Sequence, residues 1–342
     1  MEVNMNTIKN QLKELLELPS PTGYTKEAIN YLKEESKKLG YEITSLKKGA
    51  FYITIAGKEE NATLINAHVD TLGAMVRELK PNGRLKVVAL GGMPWGGVEA
   101  ENVTIHSRSG KKYSGTLLPI KSSVHVYGSK VKEELREPDT VEIRIDEIST
   151  SKEDLENLGI SVGDFVSFET RTQILDSGFI KSRYLDDKSS CAILLGLARK
   201  LKEENIAPRK TLHLFFSNYE ELGHGIYGLP GNVDESISVD IGCVGEGQTA
   251  SEHKVTIFAK DGRTPYDLDL LNELVSLAEE NDIPYNIDVI ENYASDTTAA
   301  LSQGIDMRFA CLGPGVESTH HYERTHEDAL KATLDLLYNY VK

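Results

Sequence analysis

The stretch Ala62–Asp70, ATLINAHVD, decides how the rest of the chain is read. Its first six residues form a short apolar run of the kind buried in the middle of a sheet. It ends in two metal-ligand types, His68 and Asp70, spaced so that in an extended chain both side chains point to one side. Working outward, AFYITIAG (50–57) and YEITSL (41–46) read as neighbouring strands. A helix is expected from about Thr25 to Leu39, with Ala28, Ile29, Tyr31 and Leu32 inward and Gly40 as its stop. Ile8, Leu12, Leu15 and Leu16 mark an opening helix that SPTG (20–23) breaks. Helices alternating with buried-looking strands indicate an α/β sheet.

From Leu72 to Thr170 the texture changes. RLKVVAL, NVTIHS, GTLLPI, SVHVYG, TVEIRI and DFVSFE read as short strands between turn residues. One helix is expected there, about Ser151–Leu158, behind the cap-like STSKED. That is a β-barrel pattern inside an α/β chain. After Thr172 the alternation returns: a helix from about Lys188 to Lys202, and strands at TLHLFFS, SISVDIGCVG and HKVTIFA. A helix over PYDLDLLNELVSLAEEN, a short one at DTTAALSQ, a strand at MRFACLG and a closing helix from about Glu327 to Tyr340 follow. The domain expectation is therefore one α/β domain, residues 1–71 and 171–342, interrupted by a β insertion at 72–170.

Composition narrows the function. Lys plus Arg is 38 against 53 Asp plus Glu, a formal net charge of −15. That charge repels phosphate backbones and anionic bilayers, which argues against nucleic-acid or membrane partners. No apolar run approaches the ~20 residues of a membrane-spanning helix, and MEVNMNTIKNQLKELLELP lacks the apolar core of a secretion signal. The three cysteines, Cys191, Cys243 and Cys311, are scattered among apolar neighbours, as in a reducing cytoplasm.

Ligands of open α/β sheets gather beyond the carboxyl ends of strands. His68 and Asp70 follow LINA; Glu220 and Glu221 follow LHLFFS; Asp240 lies in SVDIG. His320, His321 and His326 follow RFACLG, and Asp186–Asp187 stands at the start of the Lys188 helix. Singly, each has a bland reading: an N-cap for Asp186 or Asp187, a solvated turn for the glutamates, a core histidine for His68. Together they form a nitrogen–oxygen donor inventory for two divalent ions. Such ions can acidify a shared water and clamp a carbonyl oxygen. A glutamate beside a ligand glutamate can take the water's proton as general base. Asp70 is placed to orient the His68 ring. No Gly-x-Ser-x-Gly elbow, Walker loop or dinucleotide fingerprint competes with this chemistry.

The set NAHVDTLGAMV, YLDDKSS, NYEELGHG, SVDIG and SDTTAALSQG, in this order, resembles the glutamyl-aminopeptidase-type metallopeptidases, including the tetrahedral aminopeptidases. The resemblance spans essentially the whole chain, and a β insertion directly after HVDTLGAMV matches that family's layout. It implies a three-layer aminopeptidase-like catalytic domain with an inserted barrel-like domain. It implies His68 and Asp240 as ligands, Asp186 as bridge, Glu221 as a terminal ligand, Glu220 as general base, and Asp70 as the residue orienting His68. The last ligand is a C-terminal histidine. His320 is favoured because Glu323 follows at the expected distance, with His326 second and His321 open. Zn2+ is the implied ion, with Co2+, Mn2+ or Ni2+ equally compatible with the donors. The family further implies dimers through the insertion, hollow dodecamers, and short peptides as substrates. The same site could serve a deacylase or carboxypeptidase, and a non-catalytic peptide-binding scaffold would have no use for Glu220.

Overall fold

The structure is a computed structural model that describes residues 5–342. The first four residues of the opening MEVN stretch lie outside the described residues. Two compact units emerge: one holds the described residues up to Asp70 with Arg171–Lys342, the other Thr71–Thr170.

The first unit is built on a sheet whose principal strands are β1 (Phe51–Ile55), β2 (Glu59–His68), β3 (Phe179–Ser182), β4 (Lys210–Ser217), β5 (Val233–Val239), β6 (Val255–Lys260), β7 (Tyr285–Val289), β8 (Arg308–Glu317) and β9 (Glu323–His326). Strands β4, β2, β5 and β8 lie side by side and parallel, which explains why ATLINAH is continuously buried. Antiparallel β1 covers the β4 edge, and β6 pairs with β8 at residues 312–314. The last residue of β8, Glu317, pairs with Arg324 of β9, which in turn pairs with β3. Helices α1 (Met5–Glu17), α3 (Leu185–Glu203) and α6 (Glu327–Val341) pack on one another, and α3 covers β2. On the opposite face Leu64, Phe215, Ile226 and Ala300 form a fully buried cluster, the last contributed by α5 (Asp296–Ser302). Helices thus lie on both faces of the sheet, the three-layer arrangement that the resemblance implies. The remaining helices, α2 (Lys26–Lys38) and α4 (Leu268–Glu280), start and stop close to the expected positions. Among the described residues no helix is long and apolar enough to cross a membrane.

The second unit is a closed barrel of six strands, Gly73–Leu79, Leu85–Leu90, Val141–Ile145, Lys112–Pro119, Asn102–His106 and Phe165–Phe168, in that order round the wall. The helix Lys152–Leu158 forms as expected, closed at its start by the Ser151–Asp154 capping box and at its end by left-handed Gly159. Three expected strands form differently. SVHVYG is not a strand: Val124–Tyr127 makes a single helical turn, followed by another at Lys130–Glu133. Val124 and Val126 are both exposed, so their alternation has no core face to serve. Strand Gly73–Leu79 takes the sixth place instead. YEITSL likewise contributes only Thr44–Ser45, and SISVDIGCVG breaks into β5 and a short piece, Gly242–Val244.

Candidate metal centre

The candidate residues stand where the parallel strands end. His68 closes β2, Glu220 and Glu221 follow β4, Asp240 follows β5, and Asp186 opens α3. Two triads of donor atoms result, each with its atoms within 4.8 Å of one another: His68, Asp186 and Asp240, and Asp186, Glu221 and His320. Asp186 belongs to both. Its Oδ1 lies 3.1 Å from His68 Nε2 and its Oδ2 3.5 Å from His320 Nε2. Glu221 Oε2 is 3.8 Å from His320 Nε2, and Glu220 Oε2 is 3.8 Å from His68 Nε2.

Local structure aims these groups. Asp186 and Asp187 are joined by a cis peptide and depart from helical geometry at the start of α3. The Asp186 N–H donates to Glu323 Oε2 at 3.1 Å, and the His320 N–H donates to Glu323 Oε1 at 3.0 Å. One buried carboxylate therefore sets the backbone of two candidate ligands. His320 has φ +66°, a left-handed conformation costly for a residue with a Cβ, and Glu323 holds it there. Beside Asp240, only glycine fits at position 313: a Cβ would come within 1.4 Å of the Asp240 carbonyl oxygen.

Asp70 acts more broadly than its spacing from His68 suggests. The atom nearest His68 Nδ1 is the Asp70 carbonyl oxygen at 2.9 Å, with carboxylate Oδ1 at 3.6 Å. The carboxylate mainly accepts from the Glu220 and Glu221 amides, at 3.1 and 3.3 Å, and from the Thr22 hydroxyl at 2.7 Å. It ties the Glu220–Glu221 turn to the end of β2.

The electrostatics are those of a site short of positive charge. Burial pushes Glu220 well above the ordinary carboxylate range, against the pull of His68, and Asp240, Asp296 and Glu221 push it further. Burial and Asp186 raise Glu221 to about 8 and Asp240 to about 7. Burial also acts on Asp186, but hydrogen bonds to His320 and His68 outweigh it and hold that carboxyl low. His68 is driven well above its usual value, burial notwithstanding, by Asp186 and Asp70. Asp187, fully buried, accepts the His68 N–H at 3.1 Å through Oδ2 and leaves Oδ1 without a hydrogen-bond partner. Four carboxylates converging on two imidazoles fit a cationic occupant, and the mixed nitrogen–oxygen donor set fits borderline divalent ions.

Of the three C-terminal histidines, only His320 joins this cluster among the described residues. His321 is exposed, with its carbonyl accepting from Arg183. His326 caps α6, its Nδ1 accepting from the Asp328 N–H. Two contributors had no role at sequence level. Thr22 sits in SPTG, whose signal is a chain break, and Glu323 marks only a distance in the sequence; Thr22 acts through its hydroxyl on Asp70 and Glu323 through the two backbone N–H groups it accepts, contacts that residue type does not announce.

An α/β sheet of this order, with imidazoles and carboxylates gathered beyond its parallel strand ends, has the layout of a metal-dependent hydrolase. The chain belongs to the M42 glutamyl aminopeptidase family, whose model matches residues 49–336. It is 44% identical over 333 residues, 97% of this chain and 96% of the relative, to YhfE of Bacillus subtilis (strain 168), a protein named provisionally as an aminopeptidase. The TET aminopeptidase of the marine sediment archaeon Thaumarchaeota archaeon SCGC AB-539-E09 superposes with a TM-score of 0.87 at 18% identity, covering 98% of this chain and 96% of that one. The TET1 peptidase of Pyrococcus horikoshii, described as assembling into a tetrahedron or a large octahedral shell, gives 0.83 at 19%, with coverage of 98% and 99%. At such identities the two structures establish a shared fold.

Proposed function

We propose that this chain is an aminopeptidase that releases N-terminal residues from short peptides with two divalent ions, held by His68 and Asp240, by Glu221 and His320, and by Asp186 between them. The observation that carries the reading is the sharing of Asp186 by two otherwise separate donor triads. Family membership supplies the direction of the peptidase chemistry. When bound, such ions would polarise the scissile carbonyl and make a water acidic enough to attack it.

The chain's own part is positioning and proton transfer. Glu220 takes the proton from the attacking water and returns it to the departing amine. Burial and its acidic neighbours raise its proton affinity, which strengthens it as a base. Asp70 aims Glu220 through its backbone N–H, Asp187 anchors His68 by the same kind of bond, and Glu323 holds Asp186 and His320. Asp70 also steadies the His68 ring. A deacylase or carboxypeptidase would use the same ligands; peptides with free and with acylated N-termini separate these readings.

The 71–170 barrel supplies none of the proposed ligands, and we assign it to dimerisation and substrate access. A homo-oligomeric shell, a dodecamer among the possible forms, follows the behaviour described for the Pyrococcus relative. The cytoplasm is the proposed compartment, consistent with three free cysteines.

Glu220→Gln tests the mechanism. It keeps the shape and removes the proton acceptor, so turnover should fall by on the order of a hundredfold or more with metal content retained. Asp186→Ala should instead lose metal. Near-normal turnover in the first variant would reassign the base, and two ions retained in the second would end the bridging role.

A further inference from the structure

Outside this cluster, His253, His326 and Asp328 bring three more donor atoms within 4.8 Å of one another. His326 Nε2 lies 3.0 Å from the Ser177 carbonyl oxygen, which can only accept, so that nitrogen carries the proton. The Asp328 N–H donates to His326 Nδ1 at 3.1 Å, which makes Nδ1 the lone-pair nitrogen. Yet Asp328 Oδ2 stands 3.1 Å from that same Nδ1, and 3.0 Å from His253 Nδ1. A metal ion between these atoms would take the Nδ1 lone pair in place of the Asp328 N–H and sit against the carboxylate oxygen that already faces both imidazoles.

The seat of the His326 ring is built. Gly178, at φ +88°, lies against it, and a Cβ there would come within 2.3 Å of Nε2. The Phe179 ring stands nearly edge-on to both imidazoles, at 4.9 Å from His326 and 5.8 Å from His253. The His253 turn reaches the site because position 315 is glycine; a Cβ there would come within 2.0 Å of the Ser251 carbonyl oxygen. The His326 side chain is 12% exposed, while those of His253 and Asp328 are about half exposed, which leaves an open side for water.

We propose that His253, His326 and Asp328 form a peripheral site for one borderline divalent transition-metal ion of the Zn2+ class. Two imidazole nitrogens and a carboxylate select such an ion over Ca2+ or Mg2+, and waters complete the coordination on the open side. The Ser177 carbonyl supplies the bond to the non-ligating nitrogen that fixes tautomer and ring orientation in histidine–metal sites. The ion ties the 251–254 turn to the first turn of α6, directly after the strand that carries Glu323. The site shares no residue with the catalytic cluster, so it stands whether or not the proposed peptidase mechanism does.

The test is equilibrium dialysis of the untagged full chain against Zn2+, with metal counted by mass spectrometry, for the parent, His253→Ala and Asp328→Asn. Each variant should bind one Zn2+ fewer per chain than the parent, with peptidase activity kept. The difference can be read whatever number of ions the catalytic cluster holds. Zn-edge anomalous diffraction on the parent gives a second reading that needs no variant, and a peak bonded to His253 and His326 is expected. Equal Zn2+ counts in all three proteins, or anomalous density at the Asp186 cluster with none between His253 and His326, would overturn the proposal.

Discussion

Replacing Glu323 by Gln tests whether one buried carboxylate organises the metal centre from behind. Glu323 touches neither proposed ligand side chain; it accepts the N–H of Asp186 at 3.1 Å and of His320 at 3.0 Å. Glutamine keeps one carbonyl oxygen for one of these donors and presents an NH2 group to the other. One bond to a charged acceptor is lost, about 1.5–3 kcal/mol. At 1.4 kcal/mol per tenfold, that is roughly a 10- to 100-fold weaker hold on metal, the range expected when a partner supporting a ligand is removed. His320 should suffer more than Asp186, because its left-handed backbone has lost its clamp. The assay is competition with a zinc chelator, run beside a thermal melt that checks the fold. His321→Ala, altering an exposed neighbour, is the control and should match the parent. If folded Glu323→Gln binds metal within twofold of the parent, the positioning argument is wrong.

The raised acids make the metal-free protein sensitive to pH. Glu221 at about 8 and Asp240 at about 7 hold protons more tightly folded than unfolded, so stability is lost as pH rises from the ordinary carboxylate range through these values. His68, also raised, works in the same direction once pH passes the unfolded histidine value near 6.5. The melting temperature of metal-stripped protein should therefore fall between pH 5.5 and 8.5 (roughly, the span of these shifts), and added Zn2+ should flatten the trend because it favours the ionised ligands. A melting temperature that climbs over that range without metal would contradict the charge balance described above. Light scattering should find a particle much heavier than the 37.9 kDa chain; a monomer with full activity at nanomolar concentration would refute the assembly reading and leave the chemistry standing.

Much of the fold could be read from local pattern, because local pattern was its cause. The apolar residues of ATLINAH fall on both sides of the strand since β2 is buried throughout that stretch, and Ser151 with Asp154 announces the helix it caps. The misreading of SVHVYG has an equally physical origin. Period-two alternation signals a strand only when one face is buried, and here neither valine is. The candidate cluster could be assembled for a similar reason: parallel strands deliver their terminal residues to one edge of the sheet, so His68, Glu220, Glu221 and Asp240 could be grouped as candidates before any distance was known.

The choice among the C-terminal histidines shows where sequence alone stopped. In STHHYERTH each candidate has the same chemistry and a plausible spacing. What separates them is that residues 323–326 pair as a strand with Phe179–Ser182, Glu323 opposite Ser182 and His326 opposite Phe179. Side chains alternate along a strand, so a residue three positions after Glu323 faces the other way. Glu323 turns inward to hold Asp186 and His320, and His326 turns outward to Ser177, His253 and Asp328. The sequence by itself determined which residues could bind a metal. Their division between two places on the molecule was decided by strand pairing, a contact between segments about 140 residues apart that no local pattern encodes.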